Sequence, residues 1–375
     1  MLAQARCVVC VGQGGVGKTS TSAALAIEAA RQGRRTAVLT IDPARRLANA
    51  LGLPEIGNIE REVPKAAFEA AGLEAPAGKL TALMLDIKQA WDEVVDSYHP
   101  DPERKQRLLQ NRLYEAMSSA LAGSQEYMAM EKLYQLSTRT EDRLDVIILD
   151  TPPANHAVDF LEAPSRMLDA LDNDATRWLL EPYERRRGLA SRIFDAGSGL
   201  FIRTISRFTG TELLEDLAEL LSGFQGMFQG FRDRAAAVRT ILAAADTSFV
   251  VVSTPSESGL VDARAFRDRL RERQLRVGSV VLNRATPAPF LAGEAPAPEA
   301  LARALASTPE LAARLEALAM ERAEEALAHR EAAEELALET EGCAVVAVPQ
   351  LPRDVHDLEG LERLRQGLFA PPPQR

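Results

Sequence analysis

The sequence predicts an α/β fold, a mostly parallel central sheet flanked by helices, with an inserted α-helical subdomain. Short runs rich in Val, Ile and Leu recur between longer helical stretches. Most are continuously apolar rather than alternating, as parallel strands are when helices cover both faces of a sheet. Four of the runs lead directly into Gly12, Asp42, Asp150 and Asn283. Residues of this kind at the carboxyl ends of strands are where open parallel sheets bind ligands.

Seven strands are expected: Cys7 to Val11, Thr36 to Ile41, Leu80 to Leu85, Val146 to Leu149, Phe249 to Ser253, Val277 to Leu282 and Ala344 to Val348. The first two are joined by a helical segment, Ser20 to Gln32. Some 55 helical residues separate the third and fourth strands and nearly 100 separate the fourth and fifth. These insertions divide the chain into a discontinuous sheet domain, 1–88, 141–163 and 246–375, and a helical subdomain, 89–140 with 164–245. A further helical excursion, 295–340, has a start signal at Thr308, Pro309 and Glu310 and reads as a helical hairpin. Its leucines do not sustain heptads, which argues against a coiled coil.

With 375 residues, 46% apolar and 26% charged, the chain has the balance of an ordinary globular protein. Its formal net charge of −10 argues against general binding to a nucleic-acid backbone. Cys7, Cys10 and Cys343 are too few for a disulfide framework, so a reducing compartment is expected. No run approaches 18 apolar residues and no export signal is visible. A cytoplasmic location without stable membrane insertion is the expectation.

Residues 12–19 read GQGGVGKT, which fits G-x-x-x-x-G-K-[ST] between an apolar run and a helical segment. Gly12, Gln13, Gly14, Gly15, Val16, Gly17, Lys18, Thr19 and Ser20 would wrap a phosphate chain. The glycines let backbone N–H groups turn inward, and the helix N-terminus adds its positive end. Lys18 would reach the β and γ phosphates, and the Thr19 hydroxyl would hold Mg²⁺. Asp150 closes Val146–Leu149 as the carboxylate expected to help hold that ion. Asp42, followed by Pro43, Ala44, Arg45 and Arg46, would orient the attacking water. ATP and Mg²⁺ are thus the expected ligands, on the sheet of a P-loop NTPase.

The glycine loop, DPA at 42–44, DTPPANHAVDFL at 150–161, VVLN at 280–283 and VPQLPRDVHDLEGL at 348–361 resemble the arsenite-pump ATPase family. That family includes the ATPase that targets tail-anchored membrane proteins, and the chain looks most like its bacterial ArsA-like branch. The resemblance implies an ATPase that closes as a dimer around ATP, with switch loops at Asp42 and Asp150. It implies adenine recognition by Asn283 and by the loop at Pro349 and Leu351, and a hydrophobic protein client or membrane partner. The alternatives are an ATPase subunit energising an anion pump and a slow nucleotide-gated scaffold. Two departures stand out. Gln13 occupies the place of a lysine that crosses to the partner's nucleotide, which leaves three outcomes: slow hydrolysis by an isolated homodimer, substitution by Arg45 or Arg46, or a lysine from a related subunit in a heterodimer. Residues 284–287 lack the CxxC of zinc-clasped dimers, so no zinc is expected.

Other features have a plain packing reading beside the functional one. Cys7 and Cys10 sit three apart on a strand, so their side chains face opposite ways and fit buried packing. His156 is either a nucleotide sensor or a surface-loop residue; His99, His329 and His356 have no metal spacing. Leu213, Leu217, Leu220, Phe224, Met227 and Phe231 form one apolar helical face, either bundle core or client groove, with core favoured. Tyr127, Met128 and Met130 pose the same choice. Leu358, Leu361, Leu364 and Leu368 are expected to dock on the sheet domain rather than on a membrane.

Overall fold

The computed structural model describes residues 1–41, 46–54, 56–99, 101–120, 124–151, 216, 220, 223–224, 227–287, 303, 308–340 and 342–370. The chain divides into two compact units: Met1–Leu83 with Leu144–Ala157 and Ala243–Arg375, and Met84–Arg143 with Val158–Leu242. The first carries the sheet. Its strands, with β4 ending at the unit boundary, are β1 (Cys7–Val11), β2 (Arg35–Thr40), β3 (Arg61–Glu62), β4 (Lys79–Met84), β5 (Val146–Asp150), β6 (Thr247–Ser253), β7 (Val277–Ala285) and β8 (Ala344–Pro349). They lie in the order β3-β4-β2-β5-β1-β6-β7-β8.

The central pairs β2–β5, β5–β1, β1–β6, β6–β7 and β7–β8 are all parallel. Every residue of β1, β5 and β6 is buried, which is why these runs carry no polar alternation. The eighth strand is one the sequence does not announce. β3 is two exposed charged residues paired antiparallel to β4, with no apolar run to betray it. It covers the edge of β4, and Lys79 bridges to Glu62 at 3.0 Å.

Helix α1 (Lys18–Arg31) packs on the sheet through Ala23, Ala24, Ala26, Ala29 and Ala30, all fully buried. Such small side chains let the helix that follows the glycine loop lie close to the strands. The short α2 (Arg46–Ala50) and α3 (Lys65–Ala70) follow β2 and β3. In the second unit, α4 (Ile87–Tyr98), α5 (Pro102–Gln110), α6 (Arg112–Ala120), α7 (Ser124–Thr138) and α8 (Phe228–Ala243) are helical. Asp86 and Asp101 cap α4 and α5, accepting from the N–H groups of Gln89, Glu103 and Arg104.

That unit has a core of its own. Trp91, Tyr114, Tyr127, Phe224 and Phe231 form an aromatic cluster with ring centroids 5.5–6.2 Å apart. Tyr127, Met128, Met130, Phe224, Met227 and Phe231 are all buried, so these members of the two apolar faces are core. Leu213 and Leu217 lie outside the described residues, and Leu220 is half-buried. Among the aromatics, Arg234 donates from Nε to Glu131 Oε2 at 2.7 Å.

Back in the sheet unit, α9 (Glu257–Glu272) precedes β7, and α10 (Pro309–Glu339) precedes β8. The excursion expected as a hairpin is, over 309–339, one unbroken helix starting at its Thr308-Pro309 signal. Of 295–307, only Arg303 is described. Last comes α11 (Leu358–Leu368), whose Leu358, Leu361, Leu364 and Leu368 are buried. Arg365 donates to Glu28 of α1 and to Glu362, and Arg31 pairs with Glu362 at 3.3 Å. The leucine face docks within the sheet unit. Among the described residues, no helix is long and apolar enough to cross a membrane.

Candidate nucleotide site

The loop after β1 and the first turn of α1 are drawn together by polar contacts from three directions. Lys18 folds back so that Nζ donates to the Gln13 carbonyl at 2.8 Å, and its side chain is largely buried. Thr19 donates from its hydroxyl to Asp150 Oδ2 at 2.7 Å. Thr40, the last residue of β2, donates to the same oxygen at 2.8 Å. Asp150 is thereby fully buried between two hydroxyls, with one carboxylate oxygen tying β5 to α1 and β2. The next residue, Thr151, donates to the Cys10 carbonyl at 2.7 Å.

From the far side, Asn283 Nδ2 donates to the Val16 carbonyl at 2.9 Å, joining the end of β7 to the loop. Gly17, the residue just before α1, has φ +97, and a Cβ there would overlap Asn283 Nδ2. Only glycine combines that backbone conformation with that approach. Gly12 backs onto the Val252 carbonyl of β6.

These elements wall a cleft of about 640 Å³. Gly14, Gly15, Gly17, Lys18, Thr19 and Ser20 form its floor, Arg46 and Asn49 one side, and Asn283, Arg284 and Pro349–His356 the other, with Pro352 excepted. Among the described lining residues, Lys18, Arg46, Arg284 and Arg353 outnumber the one carboxylate, Asp354, so this part of the cleft is cationic within a protein of net charge −10. A polyanion is the complementary ligand. For a bound Mg²⁺ the available donors are oxygens, the Thr19 hydroxyl at the cleft and the Asp150 carboxylate behind it, which suits a hard divalent ion.

Of the residues singled out from sequence, the structure brings Gly14, Gly15, Gly17, Lys18, Thr19, Ser20, Arg46, Asn283, Pro349 and Leu351 to one cleft. Gly12, Gln13 and Val16 support it from behind through backbone contacts. Asp42, Arg45 and His156 lie outside the described residues. Sequence reasoning missed Thr40, whose only signal is a hydroxyl ending an apolar run. It also missed Asn49, Thr151 and Arg284 as cleft residues, and within the loop after Pro349 it did not single out Arg353 and His356. Cys7 and Cys10 are buried in β1, and burial pushes both thiols up to about 12. They are held protonated by their surroundings, which is packing chemistry rather than ligand chemistry.

A glycine loop between a buried parallel strand and a helix, with a carboxylate on the adjacent strand bound to the loop's threonine, defines a P-loop nucleotide-binding protein. The family model described as anion-transporting ATPase matches residues 5–291. The chain belongs to that family. It is similar to the ATPase ARSA1 of Chlamydomonas reinhardtii, 25% identical over 300 residues, which is 75% of this chain and 35% of that protein. It is 27% identical to the ATPase GET3 of Malassezia globosa over 164 residues, 44% of each chain. Against the ATPase get3 of Pyrenophora tritici-repentis it is 25% identical over 276 residues, 72% of this chain and 71% of that protein. The chain thus spans about a third of the length of the Chlamydomonas protein and under half of the Malassezia one.

Proposed function

We propose that the protein is a Mg²⁺-dependent ATPase that cleaves the β–γ phosphoanhydride and uses the cycle to switch a dimer between conformations. The observation that supports this most is the Thr19–Asp150–Thr40 arrangement beside Lys18 at the floor of a cationic cleft. Lys18 and the N–H groups of the first turn of α1 hold the phosphate oxygens and stabilise the charge that develops on them. The Thr19 hydroxyl and the Asp150 carboxylate would hold Mg²⁺, which supplies charge neutralisation at the β and γ oxygens. Asp42, two residues past the end of β2 in sequence, would orient the attacking water. With glutamine at 13, Arg46 at the start of α2 is a cation at the cleft wall, and turnover by the isolated chain is expected to be slow.

The output of the cycle is the binding and release of a hydrophobic protein client or partner by a homodimer, or by a heterodimer with a related subunit. The burial of Cys7 and Cys10 in β1, with Cys343 the one remaining cysteine, favours this over an arsenite pump, because no set of three thiols is offered as soft ligands. Lys18→Ala tests the site. The variant is expected to lose ATP turnover and most triphosphate affinity while keeping its circular dichroism spectrum, since the fold rests on buried strands. Turnover equal to the parent would remove the phosphate-loop assignment.

A further inference from the structure

Asn283 and Arg284 are consecutive residues of β7, and in a regular strand consecutive side chains point to opposite faces. Here both line the same cleft. The pairing of β7 with β8 explains how: the register shifts between Leu282 and Ala285, and Arg284 takes the left-handed conformation, φ +62. A non-glycine residue held there carries backbone strain that its surroundings must enforce.

Three contacts do so. Asn283 is tied to the Val16 carbonyl; the Gln350 N–H donates to the Ala285 carbonyl at 2.7 Å. The Thr286 N–H donates to His329 Nδ1 of α10 at 3.0 Å. Arg284 itself is exposed between the buried Asn283 and Ala285. A bulge clamped by the phosphate loop, β8 and α10 presents one cationic side chain at the cleft wall.

β6 lies between β1 and β7, so this wall stands two strand spacings, about 10 Å, from the strand that launches the phosphate loop. That separation suits the base of a nucleotide whose phosphates rest on Gly14–Thr19. Phosphates already have Lys18 and the helix N-terminus. A planar guanidinium at the opposite end matches the π-face of a purine. We infer that Arg284 packs its guanidinium on the base of the bound nucleotide, and that the β7 bulge is the device that aims it there. This rests on the nucleotide reading above.

The test is calorimetric titration of the full chain, in Mg²⁺, with ATP and with inorganic triphosphate. Arg284→Asn removes the guanidinium but keeps a residue that tolerates the left-handed conformation. It is expected to weaken ATP by about 2- to 30-fold and to leave inorganic triphosphate unchanged. Arg284→Lys, which keeps the charge without the plane, is expected to recover part of that loss at most. Equal weakening of both ligands, full recovery with lysine, or no change in ATP affinity would each overturn the inference. Binding of neither ligand by the parent protein would overturn the nucleotide reading and this inference with it.

Discussion

Alanine at position 17 would strain the site in two separable ways, and a second substitution tells them apart. Gly17 has φ +97, so any side chain there carries the left-handed penalty, about 1–2 kcal/mol. Its Cβ would also displace Asn283 Nδ2 from the Val16 carbonyl; among the described residues the only other atom within 4 Å is Asn283 Cγ at 3.5 Å. Asn283 is buried, so losing that hydrogen bond adds about 1–3 kcal/mol. Gly17→Ala is therefore expected to destabilise the protein by roughly 2–5 kcal/mol. In an Asn283→Ala background the obstruction is gone, and the same substitution is expected to carry only the backbone penalty. Gly15→Ala is the control, because Gly15 has φ +77 and a Cβ there meets nothing within 4 Å among the described residues. Urea denaturation of the four proteins of the cycle, followed by circular dichroism, measures the coupling, expected at about 1–3 kcal/mol. If Gly17→Ala proves equally destabilising in both backgrounds, the steric account of this loop is wrong.

Two further expectations concern buried and half-buried charge. Arg234→Met leaves Glu131 buried without its guanidinium and is expected to destabilise by about 3–5 kcal/mol, whereas Arg234→Met with Glu131→Gln recovers most of that; identical urea midpoints for single and double variants would refute it. The guanidinium of Arg365 holds the Glu362 carboxyl below its ordinary value of 4.5. A carboxylate with a depressed folded value contributes stability that is present above about pH 4.5 and lost as pH falls through the folded value. The gap in denaturation midpoint between the parent and Arg365→Met should accordingly be full at pH 7 and shrink in acid below about pH 4.5. A gap independent of pH would show that Arg365 acts through packing alone.

Much of the site can be read from the chain because its chemistry is local. A phosphate loop needs glycines, a lysine and a hydroxyl within eight consecutive residues, and GQGGVGKT holds them between a buried strand and a helix. The sheet is equally legible. Strands buried on both faces must be apolar throughout, and those of β1, β5 and β6 are. Once tertiary contacts decide a residue's role, the pattern falls silent. β3 exists because an exposed Arg-Glu pair finds the edge of β4, not because its residues favour a strand. Thr40 joins Thr19 on Asp150 only after β2 and β5 pair in register, 110 residues apart in the chain. The same holds for Arg284. No spacing rule sends it to the side of the strand that Asn283 occupies; a bulge held by β8, α10 and the phosphate loop does that, and those partners come from three separate stretches of sequence. Short-range chemistry, set by covalent neighbours, determined where the proposed phosphate loop lies. The direction of each long-range side chain was decided by which strands pair and in what register.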